Sequence, residues 1–178
     1  MIVILGEYEG DGREADYVKI DPWDTWSMYT SLGLIALPML KQLRKEKHGS
    51  PYVDLEDVPE ELQLHGVPRY EGRQYDMFLS EEAEKLKDKY LHARWDWVMD
   101  EMIFAFESIV GDNEDWESKY SSGEWDVYFE EIPGSDCSEM KYGPNHTFKV
   151  DEKGLMTEGT RIQNGFRLFG KYYQNLWD

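Results

Sequence analysis

The stretch LHARWDWVMDEMIFAFESI, residues 91–109, carries the most regular apolar pattern in the chain. Leu91, Trp95, Val98, Met102, Ala105 and Ile109 recur at spacings of 4, 3, 4, 3 and 4, which places them on one face of a helix. A second stripe, Leu86, Tyr90, Ala93, Trp97 and Phe104, widens that face, so the second half of the helix is expected to be buried on most sides. Ser80 as a cap, with Glu81 and Glu82 at the positive end of the helix dipole, starts the element, and GDNEDWE ends it. The expected helix covers 80–110.

Working outward, Met28, Leu32, Ile35, Met39 and Leu43 fall at spacings of 4, 3, 4 and 4. They predict a helix over 24–48, capped by Asp24, kinked at Pro38 and stopped by Gly49. Residues 49–79 hold Pro51, Pro59, Pro68, Gly66 and Gly72 without sustained periodicity, and read as an irregular connection with one short helix at PEELQ. Residues 1–22 are β-prone, with MIVIL and YVKI separated by the turn composition EGDGREAD. Beyond the central helix the period becomes two. Trp125, Val127 and Phe129 alternate with polar neighbours, the pattern of a half-buried strand. MKY (140–142) and HTFKV (146–150) flank Gly143-Pro144-Asn145 and predict a hairpin within the strand region 124–151. A last helix over 158–177 carries Ile162, Phe166, Phe169, Tyr173 and Leu176. The fold class is α+β, three principal helices packed with a small antiparallel sheet in one domain spanning 1–178. The seams at 28–43, 91–109 and 162–176 are expected to pack on one another with the strands against them.

Composition narrows the function. With 19 basic against 37 acidic residues the formal charge is −18, which disfavours direct binding to nucleic acid. Aromatic residues at 15% argue against disorder. Cys137 is the only cysteine, so neither a disulfide framework nor a cysteine zinc site is expected. No run approaches the roughly 20 apolar residues that span a bilayer, and the opening MIVILGEYEGDGRE lacks the form of a signal peptide. A cytoplasmic protein without a membrane partner is expected.

DTWSM (24–28), LPMLKQL (37–43), KHGSP (47–51), EDVPEEL (56–62), RWDWVMDEMIFAFE (94–107), YGPNHTFKVD (142–151) and RIQNGFRLFGKYYQNLWD (161–178) together resemble an uncharacterised family of tailed-bacteriophage proteins. The likeness covers most of the chain after about residue 20; the amino-terminal part is shorter than in longer members of that family and differs from theirs. It implies a virus-encoded protein acting in the cytoplasm of an infected host, and it carries over no catalytic residues.

Two groups of residues could carry chemistry. His92, Asp96 and Asp100 stand at i, i+4 and i+8, with Asp88 one turn earlier, a spacing that can share a divalent ion. Metal-dependent nucleotide hydrolases of this type need matching acids on a second helix. Glu81 and Glu84 supply one pair and no second follows, so a solvated face is the favoured reading and no metal or other cofactor is expected. The second group is cationic. The segment 161–178 holds Arg161, Arg167 and Lys171 and no acid before its last residue, and the first helix ends KQLRKEKH. Arg94, Arg167, Lys171, Lys45 and His48, with aromatic walls from Trp97 and Tyr172, form a candidate site for an anionic, ring-bearing ligand such as a nucleotide. The competing structural reading makes the same cations internal counter-charges for acidic elements. Gly165 and Gly170, each costing about 1 kcal/mol inside a helix, imply close approach by another backbone or a ligand. No nucleophile elbow, phosphate loop or calcium loop is present.

Three functions follow in order: a phage binding protein that sequesters a nucleotide-type defence signal; an acidic inhibitor of a host protein, acting by nucleic-acid mimicry or direct interaction; and a metal-dependent nucleotide hydrolase. An assembly of identical copies is compatible with each.

Overall fold

The computed structural model describes residues 2–6, 15–63, 90–110 and 116–177. The turn expected around 9–14, the cap at Ser80, the acids Glu81, Glu84 and Asp88, and all but the end of the run 112–117 lie outside these residues.

Strands β1 (Ile2–Leu5) and β2 (Ala15–Lys19) pair antiparallel. A 3-10 turn at Pro22–Thr25 follows, closed reciprocally by two aspartates: Asp21 accepts from the Trp23 amide at 3.0 Å and donates its own amide to Asp24 at 2.8 Å. Asp24 therefore belongs to this turn and does not cap the helix, which begins later. Helix α1 spans Met28–Glu46 and runs through Pro38 without interruption. A second short 3-10 turn, Leu55–Asp57, and helix α2, Glu60–Gln63, punctuate the connection. Helix α3 spans Leu91–Glu107. Helix α4 spans Glu152–Lys171, starting six residues before the expected position because Asp151 caps it by accepting from the Gly154 amide at 3.0 Å.

Between α3 and α4 lie β3 (Ser121–Ser122), β4 (Val127–Glu131), β5 (Ser138–Tyr142) and β6 (Lys149–Val150). The hairpin expected across Gly143-Pro144-Asn145 does not form. β5 pairs with β4, and β6 pairs with β3, so the chain at 143–148 crosses from one two-stranded sheet to another. The crossing is held from the β4 side: the amide of Asn145 donates to Asp126 at 2.9 Å, and the Gly143 amide to the Asp126 carbonyl at 3.0 Å. The molecule thus combines three substantial helices with small antiparallel strand pairs.

α3 is the centre. Trp95, Val98, Met99, Met102 and Ala105 have no solvent exposure, and Leu40 of α1, Val53 and Val58 of the connection, Leu168 of α4 and Tyr172 just after α4 join them. Each large apolar side chain buried there contributes roughly 1.5–3 kcal/mol relative to exposure. α1 and α4 pack on α3 from two sides. The crossings use small residues. A methyl at Gly33 would stand 2.9 Å from Val110 Cγ2, and one at Gly165 would stand 2.4 Å from the Glu101 carbonyl oxygen. Close backbone approach accounts for Gly165; Gly170 faces open space, with nothing within 4 Å.

Two expectations about packing are corrected. β4 is not half-buried: Phe129 is 68% exposed, and Trp125 just before the strand is 55% exposed, because among the described residues β4 pairs with β5 alone and neither strand buries a residue. The seam read on α1 is not its core face, apart from Leu43, which packs partly buried against the core. Met28, Leu32, Ile35 and Met39 are 41–67% exposed, and α1 instead buries Gly33 and Leu40, with Ala36 and Leu37 partly covered.

Candidate functional site

The cations singled out in the sequence are engaged within the fold. On α4, one turn apart, Arg167 and Lys171 converge on Asp57, whose side chain is 2% exposed: Arg167 Nη2 lies 2.8 Å and Lys171 Nζ 2.6 Å from its carboxylate. The buried Tyr172 hydroxyl donates to the same carboxylate at 2.6 Å and accepts from the Asp54 amide at 3.0 Å. Lys171 also reaches Asp54 at 2.9 Å and Glu56 at 3.5 Å, and Arg167 Nε donates to Asn164 at 3.0 Å.

The electrostatics follow from these contacts. Burial alone would push the Asp57 carboxyl up, but hydrogen bonds from Lys171, Tyr172 and Arg167 outweigh it and hold the group below the usual carboxylate range. Lys171 is raised by its bonds to Asp57 and Asp54. Burial, followed by the bond to Asp57, raises the Tyr172 phenol.

Arg94 is buried on α3 and donates from Nε to the Leu62 carbonyl at 2.7 Å. Trp97 is half-buried against the core. Lys45 is exposed near the end of α1, 3.8 Å from Glu46, and His48 is exposed just beyond it. The fold therefore gathers Arg167, Lys171 and Tyr172 around one carboxylate and directs Arg94 to a backbone carbonyl. An anion at Arg167 and Lys171 would have to displace Asp57, with Asp54 and Glu56 alongside.

The acids of the metal candidate also have partners. Asp96 lies 2.8 Å from Lys47 and 3.4 Å from Arg44; Asp100 takes Arg44 Nε at 2.8 Å and Nη2 at 3.3 Å. His92 Nδ1 is 2.9 Å from the Ser50 hydroxyl. With Lys41 on Glu107 at 2.7 Å, the basic end of α1 is zipped along α3. Among the described residues no group of three or more metal-ligating side chains comes together. A further pair, not anticipated as a contact, joins α4 to α3: Arg161 grips the nearly buried Glu101 through Nε (3.1 and 3.0 Å) and Nη2 (2.7 Å), and its guanidinium lies 3.8 Å from the centre of the Phe104 ring.

The open surface lies elsewhere. Between α1 and α4, above α3, runs a groove of about 1490 Å³. Leu32, Ile35 and Met39 form one wall, Phe166 and Phe169 the other, and Phe106 the floor. These walls are the stripes that periodicity identifies on α1 and α4. The sequence signal for the groove was present, but it reads as core. α1 is rotated so that Gly33 and Leu40 meet the core and its larger apolar ridge borders the groove, with Met39 67% and Leu32 50% exposed; on α4, Ile162 is buried and Phe166 and Phe169 stack edge-on against Phe106 while they line the groove. The end of the chain continues the lining with Leu176 and Trp177. No family model, curated protein or solved structure matches this chain.

Proposed function

We propose that this chain is a binding protein, not an enzyme, and that it works by seating an apolar surface of a partner protein in the groove between α1 and α4. The observation that supports this is the exposure of Leu32, Ile35 and Met39 along one side of a long concave surface whose opposite wall is equally apolar. Exposed apolar surface of this kind marks an interaction site. The resemblance to bacteriophage proteins, as an expectation, makes the partner one met in an infected bacterial cell. The nucleotide reading has less support, because Arg167 and Lys171 already face three carboxylates.

Two measurements test the proposal together. A photo-crosslinking residue at position 39, in cells producing the protein, should yield a discrete protein adduct that Ile35→Asp abolishes. The same residue at the exposed position 153 should yield none. In a thermal-shift panel of mono-, di- and cyclic nucleotides, no member should stabilise the protein. Stabilisation by one of them that is lost in Arg167→Ala would move the working site to the Asp57 cluster and overturn the groove reading.

A further inference from the structure

We infer that the occupant of the groove is a cationic amphipathic helix, which completes a four-helix bundle with α1, α3 and α4. The inference rests on the groove being the working surface. The walls decide the form of the occupant. Both are helices packed on a third, and among the described residues lining the groove a buried extended peptide would find no strand edge to satisfy its backbone amides and carbonyls. A helix satisfies its own. Leu32, Ile35, Met39 and Leu43 make a ridge at spacings of 3 and 4, which interleaves with anchors at i, i+3 or i+4 and i+7 on an opposing helix. The apolar lining of α1 extends from Tyr29 to Leu43. At 1.5 Å per residue this is roughly 21 Å, the length of a helix of about 14 residues.

The rim decides its charge. Glu46 and Glu117 border the groove with exposed side chains, and the exposed Lys45, 3.8 Å from Glu46, lies outside the lining. Lys47 is the cation among the lining residues; its side chain is 11% exposed and its ammonium lies 2.8 Å from Asp96. Three cations of α4 turn the other way, Arg161 to Glu101 and Arg167 and Lys171 to Asp57. What an incoming ligand meets is apolar walls under a negative rim, on a chain of charge −18. A second copy would bring the same negative charge to that rim, whereas a helix with lysines or arginines flanking its apolar stripe meets opposite charge. Met39, at the most exposed point of the wall, adapts its shape to different anchors.

The experiment uses the full chain and three labelled peptides of about 14 residues: an amphipathic Leu/Lys helix, its Leu/Glu counterpart, and a shuffled Leu/Lys peptide of the same composition. Fluorescence anisotropy should show the amphipathic Leu/Lys helix binding at least tenfold tighter than either other peptide. Ile35→Asp, a change at a surface-exposed position whose folding is checked by circular dichroism, should weaken that binding about tenfold. Reversing the rim with Glu46→Lys and Glu117→Lys should slow association about fivefold and flatten its salt dependence. Equal binding of the Leu/Lys and Leu/Glu helices, both weakened by Ile35→Asp, would sink the charge inference and leave the groove reading standing. Binding of the shuffled peptide as tightly as the amphipathic one, indifferent to Ile35→Asp, would mean attraction to bulk charge and overturn the inference. Were no peptide to bind a monomeric protein, both readings would fall. A dimer that Ile35→Asp dissociates would make a second copy the occupant and refute the cationic helix.

Discussion

Two glycines of α4 offer a matched pair for testing the helix packing. At Gly165 a methyl group would stand 2.4 Å from the Glu101 carbonyl oxygen, 2.5 Å from Ala105 Cβ and 3.2 Å from the Glu101 carbonyl carbon. Ordinary contact begins near 3.4 Å, so α4 must move away from α3 by about 1 Å. The closest atom is backbone in the middle of α3 and cannot rotate aside. A gap of that size along the seam forfeits a quarter to a half of the dispersion energy of the contacts it opens. Overpacking of this kind costs about 1–3 kcal/mol, and separation from fully buried residues of α3 such as Met102 puts Gly165→Ala at the upper end. The substitution also gains up to about 1 kcal/mol of helix propensity, leaving a net loss of about 2 kcal/mol. Gly170 has nothing within 4 Å, so Gly170→Ala receives the propensity gain alone, about 0.5–1 kcal/mol. Urea denaturation should therefore show the two midpoints moving in opposite directions at unchanged slope. For a chain of this size the melting temperatures should separate by roughly 5–12 °C. A Gly165→Ala protein as stable as the parent would refute the close crossing of α3 and α4.

The Asp57 cluster predicts acid sensitivity. Because the folded carboxyl is held below its unfolded value, its contribution is complete above about pH 4 and is lost as the pH falls through the lower folded value. Asp57→Asn should cost about 1–3 kcal/mol at neutral pH and flatten the acid limb of a stability–pH profile; an unchanged limb would show that the cluster does not hold the 54–57 segment. Arg161→Lys should destabilise by about 1–2 kcal/mol despite keeping its charge, because the ammonium cannot reproduce the fork on Glu101; denaturant midpoints matching the parent would contradict the geometry. Leu40→Ala should cost about 2–4 kcal/mol and Met39→Ala under about 0.5 kcal/mol, as measured by urea unfolding; a costly Met39 change in the isolated protein would place that residue in a core instead of a groove wall.

What the sequence determined by itself is the set of helices and the centrality of one of them. The stripe from Trp95 to Ala105 covers more than half of its helix, so any orientation buries it, and periodicity was sufficient. The α4 stripe was legible in the same way, with Ile162 buried and Phe166 and Phe169 on Phe106 of α3; the α1 stripe was legible as a stripe, but its destination was not. Hydrophobic periodicity counts large side chains, whereas helices approach closest where side chains are smallest, at Gly33, Ala36 and Gly165. On α1 the face carrying Gly33 and Ala36, together with Leu37 and Leu40, became the buried one, leaving Leu32, Ile35 and Met39 to border the groove. Local turn chemistry misled in the same way at Gly143-Pro144-Asn145, where pairing of β5 with β4 overrode the nearer partner. Charge was legible only as an inventory. That Arg167 and Lys171 were cations was written in the chain; that Asp57, more than a hundred residues away, would claim both was decided by the path of the 49–63 segment across α4, because an ion pair depends on distance in space and leaves no mark on spacing in sequence.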